Sequence, residues 1–281
     1  MPNLSLSRHP DPSVFRRLAL GTWRTAYDPS VYGTVELRVG EALRYLEAFR
    51  ERTGKKLSLN HLLAKAIGVI LTEVPEANAI LRFRRVYLRK TVGIFFQVAL
   101  SREGSDKFDL SGLTIHDPEK KSLADIHDEF ENKAALTRAR RDPALESTRR
   151  RLSWMPGWLV GVVLNTVSFL NYSLNLDLSW AGVPRDAFGS VMITNVGSLG
   201  LDIAYAPLVP YSRVPIVLAM GAVHDAPVVE AGQIVVAKVM RVNVTFDHRF
   251  IDGAHAAKMA RLLRAWMEEP FAHFERLDGA G

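Results

Sequence analysis

An imidazole and a carboxylate separated by one turn, His248 and Asp252, are the side chains of this chain best placed to do chemistry. They sit in the run Asp247-His248-Arg249-Phe250-Ile251-Asp252-Gly253. A neutral imidazole takes up a proton near neutral pH and returns it later, so a histidine held in a cleft is a natural general base. Four residues across a turn is poor geometry for Asp252 to hold the ring, and a triad of that kind is set aside. Gly253 reads as a plain turn glycine that permits the backbone path. A lone histidine in a turn is more often capped or solvent-facing, so the case for chemistry depends on the rest of the chain.

The flanking elements put His248 at a strand-to-helix corner. Met240, Val242, Val244 and Phe246 alternate with Arg241, Asn243, Thr245 and Asp247, the period of a strand. From Ala254 to Met267 the period becomes helical, and Pro270 bounds that helix. Upstream, the spacing predicts an amphipathic helix over 40–53 stopped by Gly54, and a more apolar one capped by Ser58 and ended by Pro75. A third helix over 122–137 starts at Ser122. Strands are expected over 86–88, 92–100, 190–195 and 214–223, with a turn at Ala231-Gly232. Helices and strands mixed without strict alternation indicate a layered α/β domain with a mixed sheet.

Four segments carry a resemblance. His248 to Gly253 matches a His-x-x-x-Asp-Gly signature, and Val191 to Gly200 resembles a Phe-Thr-Ile-Ser-Asn-Leu-Gly segment. Lys121 to Ile126 resembles a Lys-Ser-Leu helix start, and Leu59 to Asn78 resembles a helix and its following turn. In this order they resemble the catalytic domain of the dihydrolipoyl acyltransferase (E2) components of 2-oxoacid dehydrogenases, a group related to the chloramphenicol acetyltransferases. The fold implied is a two-layer mixed-sheet α/β sandwich of the chloramphenicol acetyltransferase and E2 core type. The expectation is one catalytic domain over 1–281, with no lipoyl or peripheral-subunit-binding domain and no bound lipoyl group.

The resemblance implies a coenzyme A-dependent acyltransferase. His248 would act directly on the acceptor, with no acyl-enzyme, and Thr194 would stand where the family has its oxyanion-donating serine. Asp252 would form a buried ion pair with Arg16, in the segment Arg16-Arg17-Leu18-Ala19. The acceptor implied is a dihydrolipoyl or other small thiol. The alternatives are a hydroxyl or amine acceptor, or an E2-like assembly protein with little turnover. The family also implies a homotrimer with His248 and Thr194 meeting between subunits, and a larger cage of trimers beyond it. Two departures stand out: Asp109 to His116 lacks the family's Pro-Val, and an apolar insertion runs from about 144 to 186.

Composition narrows the remaining classes. The 281 residues contain no cysteine, which excludes a thiol nucleophile and thiolate-bound metal and agrees with a cytoplasmic location. No metal site is expected. The net charge of +6 suits a polyphosphate cofactor such as coenzyme A, or solubility alone. No basic run is interleaved with aromatics, so nucleic acid is not expected as a partner. Met155 to Leu176 is uncharged and apolar, yet its asparagines, serines and threonine would be costly in hydrocarbon, and the reading is against a membrane partner.

Overall fold

The computed structural model describes residues 2–8, 29–102, 105–139 and 156–277. Its main sheet is seven-stranded and mixed, in the order β2-β10-β8-β7-β5-β6, with β9 paired to β10. These strands are β2 (Ser30–Arg38), β5 (Gly93–Arg102), β6 (Ser105–His116), β7 (Val191–Asn195), β8 (Ile216–Met220), β9 (His224–Glu230) and β10 (Gln233–Asp247). β7 runs parallel to both β5 and β8, and the other pairings are antiparallel. A second, three-stranded sheet holds β1 (Leu6–Arg8), β3 (Ala79–Arg82) and β4 (Arg85–Arg89), ordered β1-β4-β3.

Strand alternation sends one set of side chains to each face. Ile94, Phe96, Ile193, Leu218, Val242 and Phe246 join the main core beneath the helices. Those helices are α1 (Gly40–Thr53), α2 (Leu59–Glu73), α3 (Leu123–Arg138) and α5 (Gly253–Glu268). Their neighbours in the strands, Met192 and Val217, instead meet Val214, Phe95 and Phe188 on the opposite face. Helices cover one side and irregular chain covers the other, as the two-layer expectation requires.

The predicted boundaries follow local chemistry. Gly54 adopts φ +72° and closes α1. Ser58 begins α2 in a capping box with His61, and Ser122 does the same for α3 with Asp125. Lys65 lies in the mainly apolar middle of α2 because its Nζ donates to the carbonyls of Glu119 and Lys121, tying α2 to the entrance of α3. Ala231 and Gly232 both have positive φ, the two-residue turn that matches strand twist. The strand expected over 214–223 is shorter, Ile216–Met220, because Gly221 packs against the carbonyl of Asp202, 2.3 Å from where a Cβ would stand. Five strands were not anticipated: β1, β2, β3, β6 and β9.

The described part of the insertion holds α4 (Gly157–Ser168), which continues as a wider π turn over Phe169–Ser173. α4 lies against the turn at 210–213, whereas the π turn packs on the small sheet. Leu4, Ile80 and Tyr172 form a satellite core there, and Asn175 bonds both backbone groups of Leu4, at 2.6 and 2.8 Å.

Candidate active site

The turn carrying His248 is clamped on every side by main chain. As β10 ends, the Asp247 N–H donates to the Pro215 carbonyl and the His248 N–H to that of Pro29. The Phe250 and Ile251 N–H groups both return to the Asp247 carbonyl at 3.1 Å. Phe250 and Ile251 are buried in the main core and anchor the turn, leaving the His248 imidazole half-buried between them and the surface.

The neighbouring charges are paired among themselves. Buried Asp247 accepts from the Arg249 Nε at 2.9 and 3.0 Å and from the Arg249 backbone N–H at 2.9 Å. This charge-assisted pair within two residues stiffens the corner from below. The sequence reading passed over it because no spacing rule flags an Asp-x-Arg pair in a turn.

Asp252 is the N-cap of α5. Its Oδ1 accepts from the N–H groups of Ala254 and His255, at 3.0 and 3.1 Å, and lies 2.7 Å from His255 Nδ1. A carboxylate there also faces the positive end of the helix dipole. The expected partner Arg16 lies outside the described residues. Gly253 corrects a smaller expectation. It is the first residue of α5, its φ is not positive, and a Cβ would meet nothing within 4 Å, so this backbone path does not require glycine.

Thr194 is half-buried near the end of β7. It pairs with Ala219 on β8, and Ala219 pairs with Asn243 on β10. The strand registers therefore hold Thr194 level with Asn243, five residues before His248. Beyond it, Gly197 lets the chain press against Gly221, whose carbonyl would stand 2.5 Å from a Cβ. Asn243 is buried and fully used, donating to the Asp202 carbonyl and accepting from Thr34 Oγ1 at 2.9 Å. The described chain thus holds two separate stations, His248 at one end of the β8–β10 pairing and Thr194 at the other.

Residues of the insertion reach the His248 end. Arg213 donates from Nε to Ser168 Oγ at 3.0 Å, and burial, with the nearby Arg249 charge, holds its pKa below the usual arginine value. Among the described residues Arg213 has no carboxylate within ion-pair distance. Arg89 and Asp186 form a buried pair at 2.6 Å, linking β4 to the end of the insertion. Tyr172 lies close enough to both arginines and Asp186 for their charges to act on it, and burial pushes its hydroxyl well above the ordinary tyrosine range.

Sequence comparison decides what this arrangement belongs to. The family model described as the 2-oxoacid dehydrogenases acyltransferase catalytic domain matches residues 22–148 and 187–274. The chain belongs to this family. Within it, the chain is 25% identical over 225 residues to the dihydrolipoyllysine-residue acetyltransferase component of the acetoin cleaving system of Bacillus subtilis (strain 168). It is 26% identical over 224 residues to the corresponding component of the pyruvate dehydrogenase complex of Rhizobium meliloti (strain 1021). Those alignments cover 79% and 78% of this chain but 44% and 39% of the relatives, so the chain spans less than half their length.

Solved structures agree on the fold. The cubic core of the pyruvate dehydrogenase multienzyme complex superposes with a TM-score of 0.65 at 20% identity, covering 95% of this chain and 93% of that one. A chloramphenicol acetyltransferase superposes at 0.51 and 14% identity, covering 94% and 100%. The family match leaves 149–186 unmatched, the stretch that brings Ser168, Tyr172 and Asp186 against Arg213 and Arg89. Among the described residues, no cluster of three or more His, Asp or Glu could hold a metal ion.

Proposed function

We propose that this family member is a coenzyme A-dependent acyltransferase that moves an acyl group between coenzyme A and a dihydrolipoyl or other small thiol. His248 takes the proton of the incoming thiol. The sulfur attacks the thioester carbonyl, a new C–S bond forms, the old one breaks, and the imidazole returns its proton to the departing thiolate. Thr194 Oγ1 donates to the oxyanion that forms between those events.

The observation that carries this reading is the family match over both His248 and Thr194, joined to the rigid main-chain clamp on the His248 turn. A related solved structure, the dihydrolipoamide acetyltransferase of Azotobacter vinelandii, was studied for the roles of a serine, a histidine and an asparagine in its mechanism. Its histidine and asparagine are four residues apart, as His248 and Asp252 are. It superposes with a TM-score of 0.63 at 20% identity, covering 95% of this chain and 93% of that one.

A hydroxyl donor must stand roughly 3 Å from the oxyanion, and Thr194 of one chain is far from that chain's own His248. The proposal therefore includes a second copy: a trimer in which His248 of one subunit faces Thr194 of the next, alone or as the unit of a larger cage. The test is thioester exchange from a panel of acyl-CoAs to dihydrolipoamide and other acceptors, with His248→Ala measured in parallel. Turnover that His248→Ala leaves intact removes the mechanism; turnover only with alcohols or amines moves the acceptor class.

A further inference from the structure

We infer that the face built from the β3–β4 tip and α4 docks on the surface of an anionic lipid bilayer. This goes beyond the acyl-transfer reading and does not depend on it. The polar residues of 156–176 set a membrane aside when read in sequence, but the fold turns most of them inward. Ser168, Asn171 and Ser173 are buried, Asn175 is consumed by the backbone of Leu4, and Thr166 Oγ1 bonds to the Val162 carbonyl. What faces solvent is mainly apolar, Val162, Phe169, Leu174 and Leu176, with Asn165 and Thr166 the exposed polar side chains.

The hairpin tip beside α4 completes the face. Phe83, 61% exposed, meets the Phe169 ring edge-on at 6.3 Å. Its neighbours Arg84 and Arg85 are exposed and have no acidic partner among the described residues. Residues 79–91 contain five cations and no acid, and 156–176 contain no charge at all. Among the described residues, Arg89 alone of those cations is in an ion pair. An exposed aromatic ringed by unpaired arginines, continuous with an uncharged apolar helix, matches an interface that is hydrocarbon beneath and anionic at the headgroups.

The tip is also costly to form. Phe83 and Arg84 occupy the two central positions of a two-residue hairpin, both at positive φ (46° and 60°), where Asn-Gly is the relaxed choice. Folding alone gives no reason for a phenylalanine and an arginine there; contact with a surface does. The docking is superficial. α4 has 12 residues, about 18 Å, against a hydrocarbon core of about 30 Å, and no helix among the described residues is long and apolar enough to cross a membrane.

Co-sedimentation of the full chain with phosphatidylcholine vesicles, with and without phosphatidylglycerol, tests the inference. The expected result is binding to the anionic vesicles that salt weakens, and little binding to the neutral ones. Arg84→Glu with Arg85→Glu should lower that binding at least about tenfold. Phe83→Asn with Arg84→Gly should hold or raise Tm, because it relaxes the turn, and still lose the vesicles. Equal binding to neutral vesicles, no binding to anionic ones, or unchanged binding by both variants overturns the inference. So does a change of oligomer mass in the variants without lipid, which would make this face a contact between copies of the chain.

Discussion

Thr194 lies level with Asn243, two strands from β10 and five residues short of His248. At about 3.4 Å per residue and 4.8 Å per strand, that separation is roughly 15–20 Å. A general base and an oxyanion donor working on one carbonyl cannot be that far apart. Either the site is assembled from two chains, or Thr194 has no part in it.

Mixing variants separates these outcomes. His248→Ala alone should lower turnover by about two to four orders of magnitude, and Thr194→Val by about 10²–10³, both with native-like circular dichroism. Co-assembled His248→Ala and Thr194→Val chains should regain activity, because each mixed trimer brings an intact Thr194 to an intact His248. Mixed assemblies as inactive as their parents would deny a site shared between His248 of one chain and Thr194 of another, and an active Thr194→Val parent would remove Thr194 from the site.

Asp252 should prove a cap first. Asp252→Ala deletes the acceptor for the Ala254 and His255 N–H groups and should cost about 1 kcal/mol, while Asp252→Asn keeps an acceptor and loses less. Urea titration of both variants checks this. A loss of about 3–5 kcal/mol in both would instead show that the charge matters, as a buried pair with Arg16 requires.

Removing either member of the Arg89–Asp186 pair should be among the most damaging single changes outside the main core. Its side chains are 2% and 9% exposed, and among the described residues Arg89 Nε and Nη2 have no hydrogen-bond partner. Asp186→Ala should therefore cost about 3–5 kcal/mol, whereas Arg89→Met with Asp186→Leu should recover much of the loss. Chemical denaturation of the three proteins decides it, and an additive double variant would deny the pairing.

Acid should weaken the fold through His61. Burial, with His127 alongside, lowers its pKa to about 4, while the unfolded chain titrates near 6.5. The unfolded state then binds more protons between those values, so stability present above about pH 6.5 falls as pH drops toward 4. The loss is on the order of 3 kcal/mol. His61→Gln should flatten that part of the stability–pH curve. An unchanged slope in the variant would assign it to other groups.

Much of the local structure was legible without coordinates. Gly54, Ser58, Pro75 and Ser122 each mark a helix end because capping, left-handed φ and the missing proline N–H act within one or two turns of chain. The His248 corner was legible for the same reason, as a change of period from two to 3.6 across a single turn. β2 was missed because its burial comes from pairing with β10, some 200 residues away.

What the tertiary structure alone decided is position between elements. Strand register set Thr194 level with Asn243 rather than with His248, and no spacing in the chain contains that information. Packing on the N-terminal segment and Arg213 turned the polar side chains of 168–175 inward and left Val162 and Phe169 outside. Local sequence sets dihedral preference and period, but which groups share a face depends on contacts between residues distant in sequence, each favourable only once the others have formed.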